Sequence, residues 1–217
     1  MAHTLVDIPF ENRHQCWFCG EPSELTFGFP HQYFPVFDCS HASLSVPSCR
    51  ECTRLARKAE QHSIWAVSTD VKRFLTQTYR DDLAIGINWT KEELAESEFE
   101  SGNFAGFQKS AWFMYEVAKQ RVNYQGWNLS LEGIELNCSH ISDDFIFDGV
   151  TYPSVEVAIE HFIFSYDFSP WCFKKALSIV GVKQFGKAVT FCRLLVGRTP
   201  DQQKVALRYF AEDEQVK

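Results

Sequence analysis

The sequence predicts an α+β protein in three parts: a cysteine-rich N-terminal module over residues 1–62, a mainly helical region over 63–125, and a small sheet with covering helices over 126–217. Three observations carry this reading. Two Cys-x-x-Cys pairs, Cys16/Cys19 and Cys49/Cys52, frame the first part. The middle of the chain holds capping residues followed by apolar residues at helical spacing. Further on, Phe145 to Tyr152 reads as a hairpin around an Asp-Gly turn.

In the first part, Gly20 directly after Cys19 permits the tight turn of a metal knuckle. The second pair opens a helix, because residues 49–62 contain no Gly or Pro and place Cys49 and Cys52 on one face. Four thiolates at this spacing point to a tetrahedral Zn2+ site with Cys16, Cys19, Cys49 and Cys52 as ligands. Such a site has no open position for water or substrate and is structural. A disulfide framework is the competing explanation. Met1 to Gln15 holds Asp7, Glu11 and Arg13 and lacks the apolar core of a secretory signal, so the chain is expected in the cytoplasm with reduced thiols. A knuckle, a hairpin and a ligand-bearing helix make a treble clef. Cys39, Cys138, Cys172 and Cys192 fall outside this spacing and are read as small buried hydrophobes.

In the middle region, Thr69 caps a helix carrying Val71, Phe74 and Leu75, and a short linker follows. Thr90-Lys91-Glu92-Glu93 is a capping box opening an acidic helix through about Phe99, whose carboxylates form a solvated face. Asn103 to Tyr124 reads as a long helix burying Phe104, Phe107, Trp112, Tyr115 and Val117. In the last part, Trp127 to Leu136 suggests a strand, and the hairpin at Phe145 to Tyr152 leads into a helix that Pro153-Ser154-Val155-Glu156 begins. Ser169-Pro170 starts another helix that Gly181 ends, Gln184 to Val196 ends at Gly197, and Thr199-Pro200-Asp201-Gln202 caps the last.

From Cys16 to Lys58 the chain resembles the HNH endonuclease superfamily in its four-Cys form. The first CxxCG pair is followed by His31 in Phe29-Pro30-His31-Gln32-Tyr33-Phe34-Pro35, and Ser43-Leu44-Ser45-Val46-Pro47-Ser48-Cys49 leads into the second pair. The resemblance implies His31 as the general base of phosphodiester hydrolysis, assisted by Mg2+ or Mn2+. The chain departs from the pattern at two working positions: Pro30 stands where the family has a metal-binding acid, and Ser43 where an Asn orients the base. Asp38 and His41, with Cys39 nearby, offer a displaced Asp-x-x-His metal pair; the preferred reading is that His31 and His41 are loop histidines with hydrogen-bonded imidazoles. The ten residues from Phe147 to Glu156 are also similar to the start of a helix in the ADP-ribose-directed N-glycosidases, and helix capping accounts for them on its own.

The net charge of -7 argues against a general nucleic-acid binder, whose affinity comes mostly from Lys and Arg on phosphates. One local exception is Arg50, Arg54, Arg57 and Lys58 on the second Cys helix, where they face a duplex backbone or offset the charge of a four-thiolate site. No apolar run reaches the roughly 18 residues that a membrane span needs. The sequence therefore favours a non-catalytic zinc-stabilised protein acting through a protein partner or nucleic acid, with the HNH-type endonuclease as the alternative.

Overall fold

Leu44–Ser48 (β3) is buried at every residue because it is the centre of a three-stranded sheet. Leu25–Phe29 (β2) pairs antiparallel to it along its full length, from Leu25 opposite Ser48 to Phe29 opposite Leu44. Thr4–Leu5 (β1) pairs parallel with Leu44 and Ser45 only. Among the described residues no strand pairs with β3 on that side beyond Ser45, which is why Pro47, with no N–H, is tolerated there. Its carbonyl accepts the Trp17 N–H at 2.9 Å and fastens the knuckle to the sheet.

The computed structural model describes residues 3–31, 39, 41–96, 107–136 and 144–215. It shows a mixed α+β protein with small sheets. The chain divides into two compact units, Met1–Pro153 and Ser154–Lys217.

In the first unit, Arg50–Ala56 (α1) follows β3 and is shorter than the sequence suggested. The chain leaves the helix at Arg57, and a new helix, Ile64–Thr78 (α2), starts at Ser63, whose hydroxyl accepts the Ala66 N–H at 3.2 Å. Thr69 is therefore not a cap. Its hydroxyl turns back to the Trp65 carbonyl at 3.3 Å in the middle of α2. The expected linker is also helical, Arg80–Asn88 (α3), because Leu83 finds a fully buried position. The capping box holds as read: the Thr90 N–H donates to Glu93, and the Glu93 N–H to the Thr90 hydroxyl, at 2.8 and 3.1 Å, opening Lys91–Glu96 (α4).

The long helix is Phe107–Asn123 (α5), buried through Tyr115, Ala118, Arg121 and Val122; Phe104 lies outside the described residues. Trp127 to Leu136 is not one strand. It folds back as Ser130–Leu131 (β4) and Ile134–Glu135 (β5), because Glu132 and Gly133 both take positive φ, 53° and 79°, the geometry of a two-residue hairpin turn. The Asp-Gly hairpin forms as expected, Phe145–Phe147 (β6) against Val150–Tyr152 (β7), and packs on α5 and α2.

Among the described residues the second unit holds four α-helices: Val155–Tyr166 (α6), Pro170–Val180 (α7), Phe185–Arg193 (α8) and Pro200–Gln215 (α9). Ser154 and Ser169 cap α6 and α7 as the sequence indicated. Phe162, Phe173 and Phe185 meet edge to face, with centroids 5.3 and 5.5 Å apart, which suits the ring quadrupole and fixes the core. Cys172 and Cys192 are buried in this core, as read from the sequence, and burial raises both thiols; Cys138 lies outside the described residues. Among the described residues no helix is long and apolar enough to cross a membrane.

Candidate metal centre

The four cysteines named from spacing come together. Cys16 and Cys19 sit on the knuckle, where the Cys16 N–H donates to the Glu21 carbonyl at 2.7 Å and the Gly20 N–H to the Cys16 carbonyl at 2.9 Å. Gly20 has φ +75°, and a Cβ there would meet the Tyr124 ring at 2.8 Å. Cys49 and Cys52 come from the start of α1. Cys49 is its N-cap, and its sulfur accepts the Cys52 N–H at 3.4 Å, so the helix's own unpaired N–H stabilises the thiolate.

All four sulfurs lie within 4.8 Å of one another, and Cys19 and Cys49 sulfurs are 3.8 Å apart. A tetrahedral ion with arms of about 2.3 Å has sulfur–sulfur edges of about 3.8 Å, so the cluster fits a metal ion such as Zn2+. Hydrogen bonding from Cys19 lowers Cys16 to about 7, and hydrogen bonds from the other three lower Cys49. Cys19 and Cys52 are raised, first by their hydrogen bonds to Cys16, and a bound cation would take all four as thiolates.

Around the cluster stands a shell the sequence did not announce. Arg121 of α5 donates to the Cys19 sulfur at 3.6 Å and pairs with Glu51 of α1 at 2.7 Å. Its second arm reaches the Tyr79 hydroxyl, which donates to Glu51 at 2.8 Å. Charge on Cys19 and Glu51 raises Arg121, against a desolvation cost that lowers it, while burial lifts Tyr79 to about 12. Lys72 of α2 donates to the carbonyls of Arg121 and Tyr124 at the end of α5. Burial draws it down to about 8, although the cysteine charges oppose this. The available signal was an Arg on the buried stripe of α5, between Ala118 and Val122.

The other candidates do not join this cluster. His41 packs against Phe29 and Trp65. Its Nδ1 meets the Ala42 carbonyl at 2.8 Å and its Nε2 accepts the Ile64 N–H at 3.0 Å, so both nitrogens are engaged and Nε2 serves the start of α2. Burial keeps it neutral by lowering its pKa. Asp38 lies outside the described residues. Cys39 donates to the His41 carbonyl at 3.1 Å. His31 follows β2 and is hydrogen-bonded with the Ala59 backbone; desolvation and then the charge of Arg57 leave it neutral. On α1 and just beyond it, Arg50 is tied to Glu24 at 2.9 Å, and Arg54, Arg57 and Lys58 are exposed.

Compared with known proteins, the chain matches no family model, no curated protein and no solved structure.

Proposed function

We propose that this is a zinc-binding protein whose HNH-like treble clef is held by a structural Zn2+ on Cys16, Cys19, Cys49 and Cys52, and that it acts through contacts with a protein partner or nucleic acid and not by catalysis. The convergence of four thiols carries this reading. With four protein ligands, a bound ion keeps no position for water or substrate, and what it contributes is folding free energy. The β2–β3 hairpin between the two Cys pairs and α1 after it support the treble clef. His41 is engaged at both nitrogens and contributes no base or ligand. The exposed Arg54, Arg57 and Lys58 form the surface offered to a phosphate backbone.

One observation favours the second reading, a Mg2+- or Mn2+-dependent HNH-type endonuclease. His31 is neutral, as a general base must be, and stands within the field of Arg57, a cation suited to phosphate. Incubation of zinc-loaded protein with supercoiled plasmid and single-stranded DNA, with magnesium or manganese and beside His31→Ala, decides between them. The proposal expects no cleavage. Cleavage lost in His31→Ala would make the chain a nuclease. DNA binding that falls steeply with salt and disappears in Arg54→Glu/Arg57→Glu/Lys58→Glu would assign the contact to nucleic acid, and its absence would assign it to a protein.

A further inference from the structure

A cavity of about 370 Å3 opens in the first unit, with none of the four clustered cysteines in its wall. That is the size of a small-molecule site. Three of the chain's six tryptophans, Trp17, Trp65 and Trp127, line it among the described residues, beside the exposed carboxylates of Glu135 and Asp144. Lys72 is the one cation in that described lining, and its ammonium is directed to carbonyls at the C-terminal end of α5, where it offsets the negative end of the helix.

The indoles are held in place. Trp17 Nε1 donates to the Trp127 carbonyl at 3.0 Å, and Gly126 lets that segment lie against Trp17, since a Cβ would meet the Trp17 carbonyl at 2.8 Å. Trp65 stands edge-on to His41 with centroids 5.2 Å apart. Glu135 accepts the Asn128 amide at 3.3 Å through one carboxylate oxygen.

We propose that this cavity binds a small organic cation, a quaternary or protonated amine, attracted by the indole faces and balanced by Glu135 and Asp144. Indole is the strongest of the side-chain rings toward cations. An anionic ligand would meet two carboxylates, and a purely apolar one would strip water from them without replacing it.

Choline chloride, titrated into the zinc-loaded full chain and followed by tryptophan fluorescence, tests this against its uncharged isostere 3,3-dimethylbutan-1-ol and against adenosine. The expected result is saturable quenching by choline, with the isostere weaker by about tenfold or more, the factor that about 1.4 kcal/mol of cation–π attraction carries. Glu135→Gln/Asp144→Asn changes exposed side chains only and should weaken choline about tenfold with metal content and circular dichroism unchanged. Equal binding of choline and its isostere, no saturable response to choline, or tighter binding of adenosine that ignores the two carboxylates would each overturn the proposal. The comparison of choline with its isostere needs no variant.

Discussion

Replacing Arg121 with Met removes the guanidinium and keeps most of the side chain's volume, so it isolates the ionic contacts beside the cysteine cluster. The Arg121 side chain is 8% exposed and that of its partner Glu51 24%, with 2.7 Å between them. Removing one member of a fully buried pair costs about 3–5 kcal/mol, because the other charge is left desolvated. Glu51 keeps some water and the Tyr79 hydroxyl, which lowers the expected loss to about 2–4 kcal/mol. For a chain of this size that is a fall in melting temperature of roughly 5–15 °C. Arg121 also donates to Cys19, so zinc affinity should drop about 10–100-fold, the usual effect of losing a partner behind a metal ligand. Melting of zinc-loaded protein with competition by a chelating dye reads both quantities. In a double-mutant cycle with Glu51→Gln, the two losses should overlap by about 1–3 kcal/mol. A loss below about 0.5 kcal/mol with unchanged zinc affinity, or strict additivity with Glu51→Gln, would contradict a coupled pair at this site.

Gly126→Ala should lower stability by about 2 kcal/mol or more, since φ is +71° and the new Cβ would lie 2.8 Å from a backbone oxygen; denaturant midpoints check it, and a neutral effect would rule out the close approach to Trp17. His41 accepts the Ile64 N–H only when neutral, and its pKa is lowered from 6.5 in the folded state. Below pH 6.5 the unfolded chain therefore binds the proton more readily than the folded one, and stability falls with falling pH. The stability difference between wild type and His41→Ala should shrink from pH 7 to pH 5, and a constant difference would mean that the ring is not required to be neutral. Cys49→Ser should release the metal and unfold residues 1–62; full metal content in a folded variant would remove Cys49 from the ligand set.

The parts legible in the sequence were those whose signal is local. Cys-x-x-Cys spacing, the Thr90 and Thr199 capping boxes and the Asp148-Gly149 turn each depend on residues a few positions apart, and each forms. Thr69 misled because a Thr hydroxyl serves an i−4 carbonyl as readily as a cap, and Ser63, six residues earlier, had the free N–H groups to bind. The shell of the cluster was not legible because its contacts are remote: Arg121 is 70 residues from Glu51 and 102 from Cys19. Long-range packing of α5 makes them neighbours, and periodicity alone gives no hint of which residue a buried Arg will meet. The same holds for the three tryptophans of the cavity, gathered from the knuckle, α2 and the segment after α5.

X-ray absorption at the zinc edge of the purified protein tests the four-cysteine centre most directly. The expected spectrum shows one shell of four sulfurs at about 2.3 Å and no nitrogen or oxygen ligand. A first shell containing nitrogen or oxygen, or protein that folds without zinc, would contradict a closed structural site on Cys16, Cys19, Cys49 and Cys52.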